Sequence, residues 1–310
     1  MLALTSITGK LGGATLNAIL ERNLIPPSQL VICTSSDPSS PKLSAYKSQG
    51  IQIRSFNFEH PNPAAFEGCT KLFLVSTPAI QLDFNDAPPG QGREKHHIAA
   101  ISAAKSAGVK HIIYTSLAFG SFSGAGVMRA HLRTEAYLRE LEREGEMKVT
   151  VLREGLYNSS WPLYLGYFDV GKDERDEIVI AGDGTISWTS IEDLGLTTAL
   201  VIADETGRRE GKKFYLASKR NRKTLKEIAS IVGSVRRREI TVNIVSREEY
   251  VEYYVGRGRD RAAVEWWSST YEALENGECL IEDPTLDKML ERLGVEAKSV
   301  EETIKEMLSA

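Results

Sequence analysis

The sequence predicts an α/β protein built on a doubly wound parallel sheet, with a smaller α+β lobe beside it. Three observations predict this. Up to residue 155, short apolar runs rich in β-formers alternate with amphipathic helical stretches. The short runs are apolar almost throughout, as strands covered on both faces must be. A stretch of small residues, "TSITGKLGG" at positions 5–13, lies between the first run and the first helix, where such sheets place a tight anion-binding turn.

Taken in order, Leu2 to Thr5 is the first strand and "GGATLNAILERN" its helix. "QLVICTS" is the second strand, followed by the helix "SPKLSAYKSQG". "IQIRSF" and "KLFLVST" are the third and fourth strands. The long helix "REKHHIAAISAAKSAG" ends at Gly108, a common C-terminal stop. "VKHIIYTS" is the fifth strand, "RAHLRTEAYLRELEREG" a charged amphipathic helix closed by Gly145, and "KVTVLRE" the sixth strand. After Gly155 the rhythm changes. "EIVIAGDG" and "KKFYLAS" read as strands separated by the helix "SIEDLGLTTALVIAD". Five helices follow in "TLKEIASIVG", "REEYVEYYVG", "AAVEWWSSTYEALENG", "DPTLDKMLERLG" and "SVEETIKEML". The predicted division is residues 1–155, a nucleotide-binding domain, and residues 156–310, a substrate-side lobe interleaved with the sheet. The basic runs "KRNRK" and "VRRRE" are expected as a loop and a strand edge facing water.

The 310 residues, 42% hydrophobic and 26% charged, suit one large domain or two tightly joined ones. A net charge of -4 offers no overall positive field to hold nucleic acid or an anionic membrane. The three cysteines, Cys33, Cys69 and Cys279, have neither metal-ligand nor disulfide spacing, which fits a reducing compartment. No apolar run approaches the ~20 residues of a membrane span, and the first residues lack the pattern of a signal peptide. The expectation is a cytoplasmic protein acting on a small molecule, without metal. A first strand that begins at Leu2 hints at a few residues missing upstream.

Ser6, Gly9 and Gly12 stand at the three glycine positions of G-x-x-G-x-x-G, the dinucleotide-binding pattern of the Rossmann fold. The first position turns the chain off the strand, the second admits a pyrophosphate, and the third lets helix pack on strand. Serine serves at the first if φ there is negative, and its hydroxyl can donate to a phosphate. The helix N-terminus then offers free N–H groups and a positive dipole end. Gly13 adds slack. After the second strand, "CTSSDPSS" puts neutral Thr34, Ser35 and Ser36 where an acid would select NAD, and Asp37 comes late. Lys10, with Lys42 a weaker candidate, would reach a 2′-phosphate. NADP(H) is therefore favoured and NAD(H) remains possible.

At the level of motifs the chain resembles the NmrA-like group of atypical short-chain dehydrogenases/reductases. "TSITGKLGG" is similar to that group's "TGATGQLG" loop. "AAKSAGVKHIIYTSL" is similar to its helix and fifth strand, and "HLRTEAYL" to its H-x-x-x-E helix. "TVLREGLYNSSW" resembles its sixth strand and following turn, and "AGDGTISWTSIEDLG" the opening of its substrate lobe. The branch resembled is that of quinone oxidoreductases and triphenylmethane reductases, with a fungal type of C-terminus. The resemblance implies that Ser6, Thr8, Gly9, Lys10, Leu11 and Gly12 hold the pyrophosphate, and that Thr34, Ser35 and Ser36 meet the adenosine ribose. It further implies that Asn57 and Phe58 flank the adenine, and that Ser76, Thr77 and Pro78 line the ribose side. Glu154, Gly155, Leu156, Tyr157 and Asn158 would reach the nicotinamide amide. Monomers or homodimers are implied.

No Y-x-x-x-K pair, the usual dehydrogenase acid, occurs on a predicted helix; the one such spacing, Tyr215 to Lys219, falls in the strand "KKFYLAS". The equivalent helix carries His131 and Glu135, four apart and so on one face. Imidazole donates protons near neutral pH, and a carboxylate one turn away would orient it and raise its pKa. His131 is thus the proton-donor candidate, with Ser116 at the dehydrogenase serine position and Tyr157 and Asn158 placed to hydrogen-bond a carbonyl. Adjacent His96 and His97 point about 100° apart on a helix and do not share a metal; His97 is expected to be structural or pocket-lining. Trp266 and Trp267 are expected in helix packing and lid, and "FNDAPPGQG" as a flap over the cofactor or a plain surface loop. Two functions compete. One is hydride transfer from NAD(P)H to a quinone-like or conjugated carbonyl compound, in fungal secondary metabolism. The other is a redox sensor that binds the cofactor without turnover. "WTSIEDLG", the tryptophan pair and the apolar "WPLYLGYF" favour the first, whereas the missing Tyr/Lys pair and Ser6 favour the second. A cofactor-free scaffold is the remaining alternative.

Overall fold

The computed structural model describes residues 1–309, the Lys42 side chain excepted. Six parallel strands appear as expected: β1 (Leu2–Thr5), β2 (Leu30–Thr34), β3 (Gln52–Ser55), β4 (Lys71–Leu74), β5 (His111–Leu117) and β6 (Lys148–Glu154). Between them run α1 (Lys10–Glu21), α2 (Pro41–Ser48), α3 (Glu94–Ser106) and α4 (Gly126–Arg143). β7 (Leu156–Tyr157) and the one-turn α5 (Trp161–Tyr164) open the second half. β8 (Glu177–Ile180), β9 (Ile186–Thr189), α6 (Ile191–Ile202), β10 (Lys212–Leu216), β11 (Arg222–Lys223) and α7 (Leu225–Arg236) follow. β12 (Thr241–Ile244), α8 (Arg247–Val255), α9 (Arg261–Glu275), α10 (Thr285–Arg292) and α11 (Val300–Ser309) complete the described chain.

The main sheet has seven strands in the order β10-β6-β5-β4-β1-β2-β3, all parallel. Its seventh strand, "KKFYL", therefore completes the main sheet rather than building the lobe. The lobe holds two small sheets, β11-β9-β7 and β12-β8.

The middle of the main sheet is covered on both faces, which is why β1, β2 and β4 are mostly apolar and buried, whereas the edge strands β3 ("QIRS") and β10 ("KKFYL") are partly exposed. Leu2, Leu4, Ile32, Phe73 and Leu152 pack toward the side of α1 and α6. Ala3, Val31, Leu72, Ile112 and Val151 pack toward α3 and α4. α6 crosses α1 so closely that a Cβ on Gly195 would lie 2.6 Å from Ala14. A third core fills the lobe around Trp161, Trp188, Tyr250 and Tyr271. The segment "WPLYLGYF" belongs to this core, with Trp161, Tyr164, Leu165 and Phe168 buried in it. Its apolar character thus stabilises the lobe and does not line a pocket.

Two basic runs also resolve. "KRNRK" carries β11 and is tied by ion pairs from Lys219 and Arg222 to Glu282, Arg220 to Glu291 and Lys223 to Glu301. "VRRRE" is not a strand edge. It is the end of α7, which Arg237 terminates in the left-handed conformation. Among the described residues no helix is long and apolar enough to cross a membrane.

Candidate cofactor cleft and the groups beneath it

A cleft of about 540 Å³ opens across the carboxyl ends of the strands, where ligands lie in parallel α/β sheets. Its floor is the turn from β1 into α1. Ser6 takes φ +55°, in the left-handed region. The expectation of a negative φ is thereby corrected: the turn requires the glycine-like conformation, and serine adopts it. The Ser6 carbonyl then accepts the Gly9 N–H at 2.9 Å. A Cβ on Gly12 would meet that same carbonyl oxygen at 2.4 Å, and one on Gly9 would meet it at 3.2 Å. α1 begins at Lys10, so Gly12 and Gly13 lie within its first turn, and no side chain caps it. Its leading N–H groups face the cleft, a ready cradle for an anion.

Ser6, Thr8, Gly9, Lys10, Leu11 and Gly12 all line the cleft, with Thr34 and Ser35, Asn57 and Phe58, and Ser76, Thr77 and Pro78. Tyr157 closes the list of expected residues that do so. Ser36 does not line it; its N–H is turned back on Thr34 Oγ1 at 3.1 Å. Asp37 is also diverted, its carboxylate accepting from Ser39 N–H at 2.8 Å and Ser39 Oγ at 2.7 Å. The Lys42 side chain lies outside the described residues.

Glu154, Gly155, Leu156 and Asn158 are likewise off the cleft. Gly155 is a packing glycine, since a Cβ there would lie 2.2 Å from Thr189 Oγ1. Leu156 is buried in the lobe core. Asn158 donates to the Lys298 carbonyl at 3.1 Å and accepts from Asn221 at 3.2 Å, so it clasps the C-terminal segment and faces no carbonyl substrate.

The proposed His131–Glu135 partnership is absent. Glu135 is held by Arg153 through two hydrogen bonds, Nε at 2.9 Å and Nη2 at 2.8 Å, and it accepts from Ser116 Oγ at 2.7 Å. Burial pushes the Glu135 carboxyl up, but the bonds from Arg153 and Ser116 outweigh it and hold the group below its ordinary value. Arg153 comes from β6, so the competitor for Glu135 is far away in sequence. His131 is only 2% exposed and bonds Tyr114 Oη at 2.9 Å. Burial, with the charge of Arg93 behind it, drives its pKa well down. A neutral, enclosed imidazole off the cleft is not the expected acid, and Ser116 is occupied by Glu135.

His97 lies beneath the Ser76–Thr77 turn. Its Nε2 accepts the Thr77 N–H at 3.2 Å, and its Nδ1 lies 2.8 Å from Thr134 Oγ1 and 3.3 Å from Tyr114 Oη. Burial lowers its pKa to about 3. Its role is to fix the cleft wall, as a structural histidine. His96, read from the sequence only as pointing away from His97, is not an expected cleft residue. It lines the cleft beside Glu59, while its Nδ1 is buried without a partner. The helical step of about 100° that separates the two rings sends one into the wall and the other to the opening.

The loop at residues 84–92 is not among the residues that line the cleft. Its ends are tied by buried groups. Asp83 accepts from Arg93 N–H at 2.7 Å and Arg93 Nε at 2.6 Å, and Glu94 pairs with Arg133 at 2.9 Å. Phe84 packs on Trp266, with ring centroids 5.5 Å apart. Trp267 is buried in the lobe core, whereas Trp266 packs against that core and also lines a second groove. This groove, between the loop and α8 and α9, is also lined by the paired charges Glu252, Arg261 and Glu265 and has no such cradle.

No family model matches the chain, so its kinship rests on whole-chain likeness. It is 29% identical over 297 residues to the NmrA-like family domain-containing oxidoreductase flvB of Aspergillus flavus, covering 93% of this chain and 90% of that one. The chain is thus similar along nearly its whole length to an NmrA-like oxidoreductase. Quinone oxidoreductase 2 of Escherichia coli is 28% identical over 292 residues, covering 94% and 93% of the two chains. Among solved structures, the Citrobacter sp. triphenylmethane reductase complexed with NADP(H) superposes with a TM-score of 0.78 at 27% identity over 99% of each chain. The NmrA-like fold is thus carried along the whole chain, lobe included.

Proposed function

We propose that the protein is an NADPH-dependent oxidoreductase that reduces a quinone-like or conjugated carbonyl compound. The observation that carries this reading is the continuous cleft, with the Gly9–Gly12 cradle at one end and the Tyr157 hydroxyphenyl group among its lining. The whole-chain likeness to a quinone oxidoreductase and a triphenylmethane reductase supports the reaction class. The uncapped start of α1 would hold the pyrophosphate, with Thr34 and Ser35 on the adenosine ribose and Asn57 and Phe58 on the adenine. Lys10, exposed at the cleft, supplies the cation for a 2′-phosphate. Asp37, engaged by Ser39, offers no carboxylate to the ribose hydroxyls of NAD.

When bound, the reduced nicotinamide supplies the hydride. The protein binds, orients and excludes water, and Tyr157 presents a hydroxyl to the acceptor. The Aspergillus flavus relative is in keeping with a fungal substrate. The sensor reading survives on one observation, the absence of His131 and Ser116 from the cleft. Titration with NADPH and NADH, followed by quinones and enones while reduced-nicotinamide absorbance is recorded, separates the two. Acceptor-dependent oxidation establishes the reductase. Binding of both redox forms without consumption establishes the sensor.

A further inference from the structure

Beneath Tyr157 lies a carboxyl group that does not line the cleft. Glu154 is the last residue of β6, and strand alternation puts it on the face shared by Leu152, toward α1 and α6. It is 1% exposed. Its Oε2 lies 3.4 Å from the Tyr157 hydroxyl, and its Oε1 has no partner. The residues paired with it on the flanking strands are Leu117 and Leu216. Glu135 makes the contrast plain: it faces the other side of the sheet and has Arg153, Lys213 and Ser116 around it. Among the described residues Glu154 has no ion-pair partner. Burial, only partly countered by Tyr157, raises its pKa well above the ordinary value, which favours the protonated form.

A neutral carboxyl behind a tyrosine has a use that a carboxylate would not. Where the Tyr157 hydroxyl now donates to Glu154 Oε2 at a long 3.4 Å, a protonated carboxyl can reverse the bond and donate to the phenolic oxygen, which frees the phenol's own hydrogen for the cleft. We infer that Glu154 stores the proton that Tyr157 delivers to the oxygen of the reduced acceptor. This rests on the reductase reading above. In the step, the Tyr157 O–H bond breaks as an O–H bond forms on the acceptor oxygen. The Glu154 O–H bond breaks as the Tyr157 O–H bond is remade. No electrons change hands between these residues, and the carboxylate left behind is reprotonated from water once product departs. Glu154 acts through Tyr157 and is a positioning residue.

The test compares the wild type with Glu154→Gln and Tyr157→Phe, loaded with NADPH. Infrared difference spectra read the carboxyl directly: a protonated-acid band at neutral pH, absent in Glu154→Gln and shifted in Tyr157→Phe. Fluorescence titration is expected to give NADPH affinity within about twofold of wild type for Glu154→Gln, as for a group that does not touch the cofactor. Turnover is then read over a series of acceptors whose reduced oxygens are increasingly basic. The wild-type-to-Glu154→Gln ratio of kcat is expected to rise from about 2-fold for quinones to about 100-fold for enones and aldehydes, within the usual range for proton transfer. A ratio that stays flat along the series overturns the inference, because a packing defect would slow every acceptor alike. Absence of the acid band overturns it as well. A wild type that shows the band yet oxidises NADPH with no acceptor overturns the reductase reading, and proton delivery with it, and the band tells that result apart from a Glu154 that is ionised.

Discussion

Replacing Ser6 with glycine is expected to stabilise the protein. Ser6 holds φ +55°, where a Cβ crowds the following carbonyl at roughly 1–2 kcal/mol. Glycine removes that strain but loses more backbone freedom on folding, roughly 0.5–1 kcal/mol. The difference is a gain of about 0.5–1 kcal/mol for Ser6→Gly. Ser6→Ala keeps the Cβ and the strained φ, so its stability should stay within about 0.5 kcal/mol of wild type. Urea unfolding of the cofactor-free protein reads both, through the shift in midpoint at constant m-value. The same pair of variants separates backbone from hydroxyl in cofactor binding. If the Ser6 hydroxyl donates to a phosphate, Ser6→Gly and Ser6→Ala both weaken NADPH binding, whatever their stabilities. A lower urea midpoint for Ser6→Gly would refute the strain argument, because it would mean that the side chain stabilises the turn more than φ destabilises it.

Gly12→Ala should fold yet bind NADPH at least about tenfold more weakly by fluorescence titration, since its Cβ would sit 2.4 Å from the Ser6 carbonyl oxygen and the turn must move. Glu135→Ala leaves the fully buried Arg153 guanidinium without its counter-charge. The expected destabilisation is about 3–5 kcal/mol by urea unfolding, and a loss below about 1 kcal/mol would mean that Arg153 finds another partner or water. Acid should destabilise the fold through its buried histidines. His97 and His111 are held at about 3 and about 4 by burial, against an ordinary 6.5. A depressed histidine contributes stability in full above pH 6.5 and loses it as the unfolded chain takes up protons below that value. The thermal midpoint is therefore expected to fall steadily from pH 6.5 toward pH 4, and a midpoint that stays level through that window speaks against neutral histidines in the native state.

The inner strands were legible because burial on both faces leaves a run of apolar residues that no loop carries, and the exposed edge strand β3 by its place between two helical stretches. Most of the cleft was legible for a related reason: the ends of parallel strands follow directly from the strands themselves. Short lobe strands such as β7 and β11, two residues each, carry no such signal, and β9 ("ISWT") is defined by its pairing with both of them. The main-sheet place of "KKFYL" is set by neighbours in space. Helical spacing correctly put His131 and Glu135 on one face, but spacing cannot see Arg153 arriving from β6 to take the carboxylate. Likewise nothing local marks a serine for positive φ; the close passage of Gly12 under the Ser6 carbonyl demands it.

The late return of the chain to the sheet, as β10 beside β6, makes the first half of the chain unfit to be a portable module. Cut after residue 155, it would present the whole hydrogen-bonding edge of β6 to solvent, an invitation to intermolecular pairing. It would also bare the face of α1 that α6 covers through Gly195. Assembly of the sheet has to wait for residues far along the chain, a topology that slows folding. Fusion, truncation and domain-exchange experiments on this protein are therefore best designed around the whole chain as one cooperative unit.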